Sequence, residues 1–248
     1  MSGHYLRCDL HIHSCLSPCA DILMTPGNIV MAAVKKGLDC IAITDHNAAG
    51  NVQVAMELAK KHGLKVIPGM EVETKEEVHL LCLFSTLEGL LTWEKVVFDH
   101  LPELLNDEDT FGYQLIVDIH DEYAAKEERL LATATSLSCA DVVAHVSQLG
   151  GIVIPSHVDR PVNSIIGQLG FIPPDLGIEV IEVSRHVKPE NLFYRFPDLQ
   201  FYLTITGSDS HFLNDIGNCG SENGFLVSGR LYQLLEPFCS SGSGFDRY

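Results

Sequence analysis

The chain has 248 residues, of which 46% are apolar, and its formal net charge is −17. This length fits one large domain, no apolar run approaches the roughly 20 residues of a bilayer span, and the negative charge disfavours a broad nucleic-acid-binding face. The opening MSGHYLRCDLHIHS contains no basic stretch followed by an apolar one. We therefore expect no signal peptide and a cytoplasmic location.

The chain contains eight cysteines, several of them inside apolar runs such as DCIAIT and HLLCLF. No CxxC pair occurs, which argues against a structural zinc ribbon. In a cytosolic chain of this size we expect the cysteines to be reduced and to act mostly as small buried hydrophobic residues.

Eight short runs rich in Val, Ile and Leu are predicted to form strands. Their nearly continuous apolar character is typical of strands that are buried on both faces. The predicted strands are Leu6–His13, Cys40–Thr44, Lys65–Val72, Val78–Phe84, Ile152–Ser156, Ile178–Val183, Phe201–Thr206 and Gly224–Val227.

Helix signals lie between several of these runs. Thr25 and the proline after it form an N-cap and first-turn pair, and Gly37 closes this first helix. Asn47 is predicted to cap a second helix that ends at Gly63, and a third helix, CADVVAHVSQL, ends at a Gly-Gly pair. Alternation of strand and helix predicts parallel β/α units, and hence a barrel or an open doubly wound sheet.

Residues 87–136 interrupt this rhythm. They contain the acidic patch NDEDT and the polar stretch HDEYAAKEER, and helices are predicted near 89–105 and 122–136. We interpret the segment as a small insertion that lies over the mouth of a barrel or beside it. The whole chain, residues 1–248, is then a single domain with this insertion.

Side chains of the kinds that bind metals occur where nearly all of the predicted strands end, and one more, His79, lies within the strand adjoining Glu71. In chain order they are His11, His13, Asp45, His46, Glu71, His79, His157, Asp209 and His211. The C-terminal ends of the strands are where β/α barrels place their active sites. The pattern therefore predicts a metal site at that end.

The weight of this prediction comes from the whole set. A single histidine in an apolar strand is usually a satisfied core residue. Five or six histidines and three carboxylates buried without a cation would have a large desolvation cost. Side chains two apart on a strand share a face, so His11 and His13 can reach one ion. Asp9, on the same predicted face, is a candidate acceptor for one of these imidazoles, and Asp209 and His211 share the spacing if their strand continues.

Together these residues resemble the polymerase-and-histidinol-phosphatase (PHP) family. The matching motifs are HIHS at 11–14, ITDHN at 43–47, GMEVE at 69–73, VH at 78–79, PSH at 155–157 and GSDSH at 207–211. The resemblance implies a distorted seven-stranded TIM-like β/α barrel with two to three divalent ions that hydrolyses phosphate esters.

The resemblance also implies a ligand set. One ion is bound by His11, His13, Glu71 and Asp209, a second by Glu71, His79 and His157, and a third by His46, His211 and an acidic residue of the first βα loop. That loop reads HSCLSPCAD, which is longer than the HSxxSD of many members. We assign Asp21 as the loop ligand, with the Cys19 thiolate as the alternative.

The ligand types favour Mn, Fe or Zn over Mg alone. Paired ions can activate hydroxide and stabilise both the attacking and the leaving oxygen, so no side-chain nucleophile is required. Arg160 and Arg185 follow predicted strand ends and are candidates for bidentate phosphate binding. The alternative for both is a structural ion pair, for example with Asp159 or Glu182.

Two further residues are candidates for catalysis. His186 is a candidate general acid or substrate contact, and Asp45 either orients a ligand or carries a proton.

The leading hypothesis is a phosphoesterase that acts on a small phosphorylated molecule or nucleotide. A single-strand nuclease is the alternative enzyme, although the charge makes nucleic acid an unlikely partner except as a short substrate. A metal-bound regulatory module without activity and an amidohydrolase are the remaining alternatives. No membrane partner is expected, and the oligomeric state stays open.

Overall fold

The computed structural model describes residues 6–220, 225–227 and 229–240, and within these residues ten strands and eight α-helices form. The strands are β1 (Leu6–Ile12), β2 (Cys40–Ile43), β3 (Lys65–Glu73), β4 (His79–Leu83), β5 (Leu115–Val117), β6 (Tyr123–Lys126), β7 (Ile152–Pro155), β8 (Val180–Glu182), β9 (Leu203–Ile205) and β10 (Phe225–Val227). The helices are α1 (Pro26–Lys36), α2 (Val52–Lys60), α3 (Leu87–His100), α4 (Glu108–Phe111), α5 (Cys139–Gln148), α6 (Ile165–Leu169), α7 (Pro189–Arg195) and α8 (Gly229–Ser240). All eight predicted strands are present, although Gly224, the first residue of the last one, lies outside the described residues.

The main sheet has six strands in the order β10-β1-β2-β3-β4-β7. The prediction of purely parallel units is wrong at two places, because β4 runs antiparallel to both β3 and β7, and β10 runs antiparallel to β1. β4 reverses direction because a tight turn, rather than a crossover helix, follows β3; within it, the Thr74 N–H donates to the Val78 carbonyl at 2.9 Å.

β8 and β9 form a separate parallel pair that closes the curved sheet into a distorted barrel. On one side, the Val158 N–H beyond β7 donates to the Glu182 carbonyl at 2.8 Å. On the other side, the His13 N–H donates to the Ser210 carbonyl at 3.0 Å. These links complete a ring of seven strands, β1 to β4 and β7 to β9, as expected for a distorted TIM-like barrel. β10 pairs with β1 and is not counted in this ring.

Apolar side chains form one large cluster outside the barrel and a smaller one inside it. The outer cluster joins the strands to the surrounding helices, through residues such as Ile41, Ala55 and Trp93. The inner cluster includes Ala42 and Leu81 and is reached by Leu235 of α8. Because successive strand residues point to opposite faces, both clusters can be filled by nearly continuous apolar runs.

The helix ends agree with the sequence in one case and differ in another. The Thr25 side chain accepts the Asn28 N–H, and Gly37 ends α1 at φ 71°, where glycine has no steric penalty. The predicted capping by Asn47 is wrong, because α2 begins later and Asn51 occupies its N-cap position.

The region predicted as an insertion has two parts that differ in structure. Helix α3 buries Leu90, Trp93 and Val97 in the outer cluster of the barrel. Residues 101–137, here called the insert, contain α4 and the antiparallel pair of β5 and β6. The predicted helix near 122–136 is therefore wrong, and β6 is exposed along its whole length. A single barrel domain over residues 1–248 remains our proposal for the domain organisation.

Carboxamide side chains of the barrel hold the insert beside the strand ends. Asn47 Nδ2 donates to the carbonyls of Leu131 and Thr133 at 2.7 and 2.9 Å. Asn51 Nδ2 donates to the Leu115 carbonyl at 2.9 Å, and its Oδ1 accepts the Val117 N–H at 3.1 Å. The insert therefore lies against the loops that follow β1 and β2.

The longest helix in the part of the chain that the structure describes is α3, with 14 residues. This helix is shorter than the roughly 20 residues needed to span a bilayer, and none of the described helices is long and apolar enough to do so.

Candidate metal centre

The carboxylate of Glu71, near the end of β3, is the centre of a buried histidine cluster. Five imidazoles place a ring nitrogen close to one of its two oxygens, and Glu71 is 1% exposed. The distances are 3.2 Å for His11, 3.5 Å for His13, 3.2 Å for His46, 3.3 Å for His79 and 3.6 Å for His157. The structure thus brings together residues that are up to 146 positions apart in sequence.

Strand pairing explains two of these approaches. His46 and Glu71 form an isolated parallel bridge beyond the end of β2. His79 begins β4 and pairs directly with Glu73, so the reversal of β4 brings the start of that strand to the edge where the other strands end. A histidine at the beginning of a strand therefore reaches the same site.

A β-bulge helps to place His11, in β1, and His13, directly after it. Between Asp9 and Ile12, three steps of β1 match two steps of β2, so one residue is extra and the alternation of faces is broken. The Nε2 atoms of His11 and His13 lie 3.2 Å apart beside Glu71.

Asp9, which is next to the bulge, does not accept a hydrogen bond from either imidazole side chain, contrary to the expectation. Its carboxylate accepts the N–H groups of Ser208 and Gly217 at 3.0 and 2.7 Å. The acceptor for His11 is instead Glu182, whose Oε2 lies 2.9 Å from His11 Nδ1 and also accepts the His157 N–H at 3.0 Å. Gly207 is needed beside this pair, because a Cβ atom there would overlap both Glu182 and His11.

Asp209 and His211 reach the cluster through a turn. β9 ends at Ile205, and Asp209 has φ 48°, so the strand-like spacing expected for this pair is wrong. Asp209 Oδ1 lies 3.3 Å from the Nε2 atoms of both His11 and His13. His157 also has positive φ, at 31°, and such conformations in non-glycine residues concentrate at functional sites.

Asp45 lies behind the cluster and is fully buried. Its carboxylate accepts the Ser14 N–H and hydroxyl, both at 2.6 Å, and the Ser17 hydroxyl at 2.7 Å. Ser17 Oγ in turn lies 3.0 Å from His13 Nδ1. Of the two roles predicted for Asp45, this arrangement fits the orientation of a ligand.

The electrostatics of the cluster follow from burial opposed by close charges. Burial disfavours the charged form of His11, but the carboxylates of Glu182, Glu71 and Asp209 outweigh it and hold the pKa of His11 well above its usual value. Burial would also raise the pKa of Glu71, but the imidazoles of His79 and His11 hold it well below its usual value. The cluster therefore contains ionised carboxylates.

The pKa is raised for His79 but lowered for His13 and His46. Burial opposes the charged form of His79, but Glu71 and Glu73 raise its pKa to about 9. Burial, followed by the nearby His211, lowers the pKa of His13 to about 4, and burial with His13 lowers the pKa of His46 well below its usual value. Neutral imidazoles are the form that binds a cation.

The donor set fits divalent cations. Glu71 Oε1, His79 Nε2 and His157 Nδ1 are buried without a hydrogen-bond partner, and such atoms need an explanation in a folded protein. Ligand atoms within 4.8 Å of one another occur in three groups: His11, His13 and Glu71; His46, Glu71 and His79; and His13, His46 and His211. Because the groups share members, the site suits adjacent ions.

The structure leaves Asp21 out of these groups. Its Oδ1 accepts the Leu23 N–H at 2.8 Å, which is a local turn within the first βα loop. Cys19 of the same loop places its Sγ atom 3.1 Å from His211 Nε2.

The two arginines predicted to bind phosphate lie on neighbouring loops. Arg160 Nη2 contacts Asp209 Oδ2 at 2.5 Å, and Arg185 Nη2 lies 3.3 Å from Asp215 Oδ2. Arg185 Nη1 is buried without a partner. Asp159 ties the two loops together, because its carboxylate accepts the N–H and hydroxyl of Ser184 at 2.6 Å each. Both arginines thus form ion pairs, as the alternative interpretation expects, but with Asp209 and Asp215 rather than with Asp159 or Glu182.

His186 is exposed, and its Nε2 lies 3.4 Å from Arg185 Nε, outside the histidine cluster. The sequence interpretation missed the roles of Glu182, Ser14 and Ser17. Glu182 follows an apolar run, as Glu71 does, and this placement could have identified it.

Comparisons with known proteins identify the family of this chain. A family model described as PHP domain matches residues 9–181. The chain is 39% identical over 120 residues to "DNA polymerase III PolC-type" of Bacillus subtilis, a match covering 48% of this chain and 8% of the polymerase. It is 32% identical over 80 residues to "Phosphoribosyl 1,2-cyclic phosphate 1,2-diphosphodiesterase" of Eggerthella lenta, covering 30% of this chain and 29% of the relative.

Among solved structures, the lesion-specific endonuclease Q from Pyrococcus furiosus superposes with a TM-score of 0.65 and 21% identity. The superposition covers 86% of this chain and half of that protein. The chain thus spans only a part of each of these proteins, and the structural likeness concerns the fold.

Proposed function

Because this chain belongs to the PHP domain family, we propose that it is a metal-dependent phosphoesterase that hydrolyses a small phosphorylated substrate, either a phosphomonoester or a nucleotide. The observation that carries this proposal is the Glu71 carboxylate surrounded by five imidazole nitrogens within 3.2 to 3.6 Å. Such convergence of buried ligands is difficult to stabilise without cations.

Two to three divalent ions, of Mn, Fe or Zn, would be held by this cluster. His11, His13, Glu71 and Asp209 would hold one ion, Glu71, His79 and His157 a second, and His46 with His211 the third. When bound, the ions would activate water and stabilise the negative charge that develops on the phosphoryl oxygens. No side chain has to act as a nucleophile.

The protein's own residues would position the ligands and bind the substrate. Glu182 orients His11 through its Nδ1 atom, and Asp45 orients His13 through Ser17, which fixes the direction of both imidazoles. Arg160 contacts Asp209 at the edge of the cluster, and its guanidinium would bind a phosphoryl oxygen there. Arg185, whose side chain is partly exposed, would bind a more distant oxygen.

His186 remains a candidate general acid. It is exposed beside Arg185, and an imidazole there could protonate a leaving oxygen.

Nucleic acid is the second substrate class. The expectation that it is an unlikely partner is not supported, because the similar proteins include a lesion-specific endonuclease and "5'-3' exoribonuclease Rnm" of Salmonella typhimurium. The net charge of −17 still favours a small or short substrate, since an extended phosphate backbone would meet a repulsive surface.

A substrate panel at varied salt separates these classes. We expect metal-dependent turnover of p-nitrophenyl phosphate, bis-p-nitrophenyl phosphate or a mononucleotide, with weak dependence on salt. Turnover confined to oligonucleotides, with affinity falling steeply as salt increases, would instead establish a nuclease. Absence of turnover on the whole panel with fully metal-loaded protein would contradict the phosphoesterase proposal.

A further inference from the structure

The loop after β1 brings a thiol to the edge of the histidine cluster. Cys19 Sγ lies 3.1 Å from Nε2 of His211, and His211 belongs to the group of three imidazoles completed by His13 and His46. Cys19 is exposed, whereas the other six described cysteines are buried. Like Asp21, Cys19 is outside the groups whose ligand atoms lie within 4.8 Å of one another, but its sulfur contacts His211, a member of one of them.

The backbone fixes this loop against His211. The Asp21 N–H donates to the His211 carbonyl at 2.9 Å, and the Ala20 N–H donates to the Ser17 carbonyl at 3.0 Å. The Asp21 side chain is directed to the Leu23 N–H, so the loop presents its sulfur, rather than its carboxylate, to the histidine.

We propose that the Cys19 thiolate, and not a carboxylate, is the ligand that the first βα loop supplies to an ion shared with His211 and His46. This inference rests on the proposed metal centre. In tetrahedral zinc, bonds of about 2.3 Å to sulfur and about 2.0 Å to nitrogen separate the two ligand atoms by about 3.5 Å. Cys19 and His211 need to move apart by only a few tenths of an ångström, whereas the loop has to bring the sulfur closer to His46, because these three residues do not form a group within 4.8 Å. The thiol proton passes to solvent as the bond forms.

The chemical consequence concerns which ion is selected. A carboxylate in this position suits Mn²⁺, whereas a thiolate suits a softer ion such as Zn²⁺ or Co²⁺. The cluster would then hold one position with a metal preference different from that of the positions around Glu71, which have only imidazole and carboxylate ligands.

Cobalt substitution tests this assignment directly. The full chain is stripped with a chelator, loaded with Co²⁺ and examined for the near-ultraviolet charge-transfer absorption of a cobalt–thiolate bond. We expect the band in the wild type and in Asp21→Asn, and its loss in Cys19→Ser. A wild-type protein without the band, or a band retained in Cys19→Ser, would overturn the proposal.

Metal content supplies a second readout. We expect Cys19→Ser to lose one equivalent of bound Zn²⁺, and Cys19→Asp to show a smaller preference for Zn²⁺ over Mn²⁺ than the wild type when both metals are offered at equal concentration. Zn²⁺ should also protect Cys19 of the wild type from alkylation by iodoacetamide, measured by peptide mass spectrometry. Unprotected alkylation at full zinc loading, or loss of the zinc equivalent in Asp21→Asn alone, would contradict the assignment.

The two proposals fail separately. A cobalt–thiolate band without phosphoesterase turnover would support Cys19 as a ligand and count against the proposed function. Metal-dependent turnover without the band in the wild type would have the opposite meaning.

Discussion

The metal centre and the insert lie side by side at the mouth of the barrel, but they are built differently. Most ligands of the centre are buried, while Asp209 and His211 are partly exposed. The ligands lie on or next to strands that the core fixes in place, and many of their partners are other side chains. In the insert, 17 of the 37 residues are exposed, and carboxamides of the barrel bind its backbone. Rigid strands suit chemistry that requires fixed distances, whereas segments beside a site are where specificity can vary.

The largest effect is expected at the centre. Glu71→Gln keeps the shape of the side chain but removes the charge on which five imidazoles converge, so we expect loss of bound metal and a fall in kcat of about 10³-fold or more. Elemental analysis and turnover measure both. Glu73→Gln is the matched control, because its carboxylate is 3.8 Å from His79 Nε2 and partly exposed. An equal loss in both variants would show that Glu71 is not special.

Proton competition should be the next largest effect. Glu71 and Glu73 outweigh burial and raise the pKa of His79 to about 9, so the metal-free protein is protonated there at neutral pH. Because a metal needs the neutral imidazole, affinity should fall by about tenfold per pH unit as pH decreases below about 9. Calorimetry in buffers of different ionisation enthalpy at pH 7 should show proton release, and its absence would contradict the assignment.

The raised pKa of His79 affects the stability of the metal-free protein in the opposite direction, because this stability falls as pH rises. A raised pKa of the folded state stabilises the protein below the unfolded value of 6.5, and this contribution is lost as pH rises towards about 9. The thermal midpoint of chelator-treated protein should therefore decrease over that range.

The arginines on the loops should show a smaller effect. Arg160→Ala removes a charged donor next to Asp209, and we expect kcat/KM to fall about 10- to 100-fold. Arg185→Ala should cost less, because its contact is with Asp215 rather than with a member of the cluster. Steady-state kinetics of the two variants compare their kcat/KM values. A greater loss of kcat/KM in Arg185→Ala would indicate that Arg185, rather than Arg160, makes the main contact with the phosphate.

The smallest effect is expected in the insert. Asn51→Ala leaves the Leu115 carbonyl and the Val117 N–H without their partner, at a local cost of about 1–3 kcal/mol. Hydrogen exchange should quicken at Val117 and proteolysis should increase within 104–128, while metal content stays unchanged. Gln53→Ala removes an exposed carboxamide from the same helix and serves as the control.

The strands and most of the cluster could be predicted from the sequence, because apolar runs and ligand residue types are local signals. His79 was assigned correctly to a strand, but its place at the site depends on the reversal of β4, which no local pattern indicates. Glu182 and the bulge after Asp9 were missed for a related reason. Both are decided by which strands become neighbours, and that depends on the whole chain.

The structure of the insert agrees least well with the prediction from sequence. Its polar, acidic composition suggested a helix over 122–136, whereas an exposed hairpin forms there. The sequence predicts a helix cap at Asn47, whereas its carboxamide donates to carbonyls that are 84 and 86 residues away in sequence. Side chains that bond to a distant backbone have no signature in the sequence around them.

The way the insert is attached also affects how the protein can change over evolutionary time. Asn47 and Asn51 belong to the barrel, and the groups they hold in the insert are backbone carbonyls and an N–H, which residues of almost any type provide. Mutations in the exposed side chains of the insert can therefore accumulate without removing these four hydrogen bonds. A descendant of this protein could acquire a new specificity through that segment while its hydrolytic machinery stays intact.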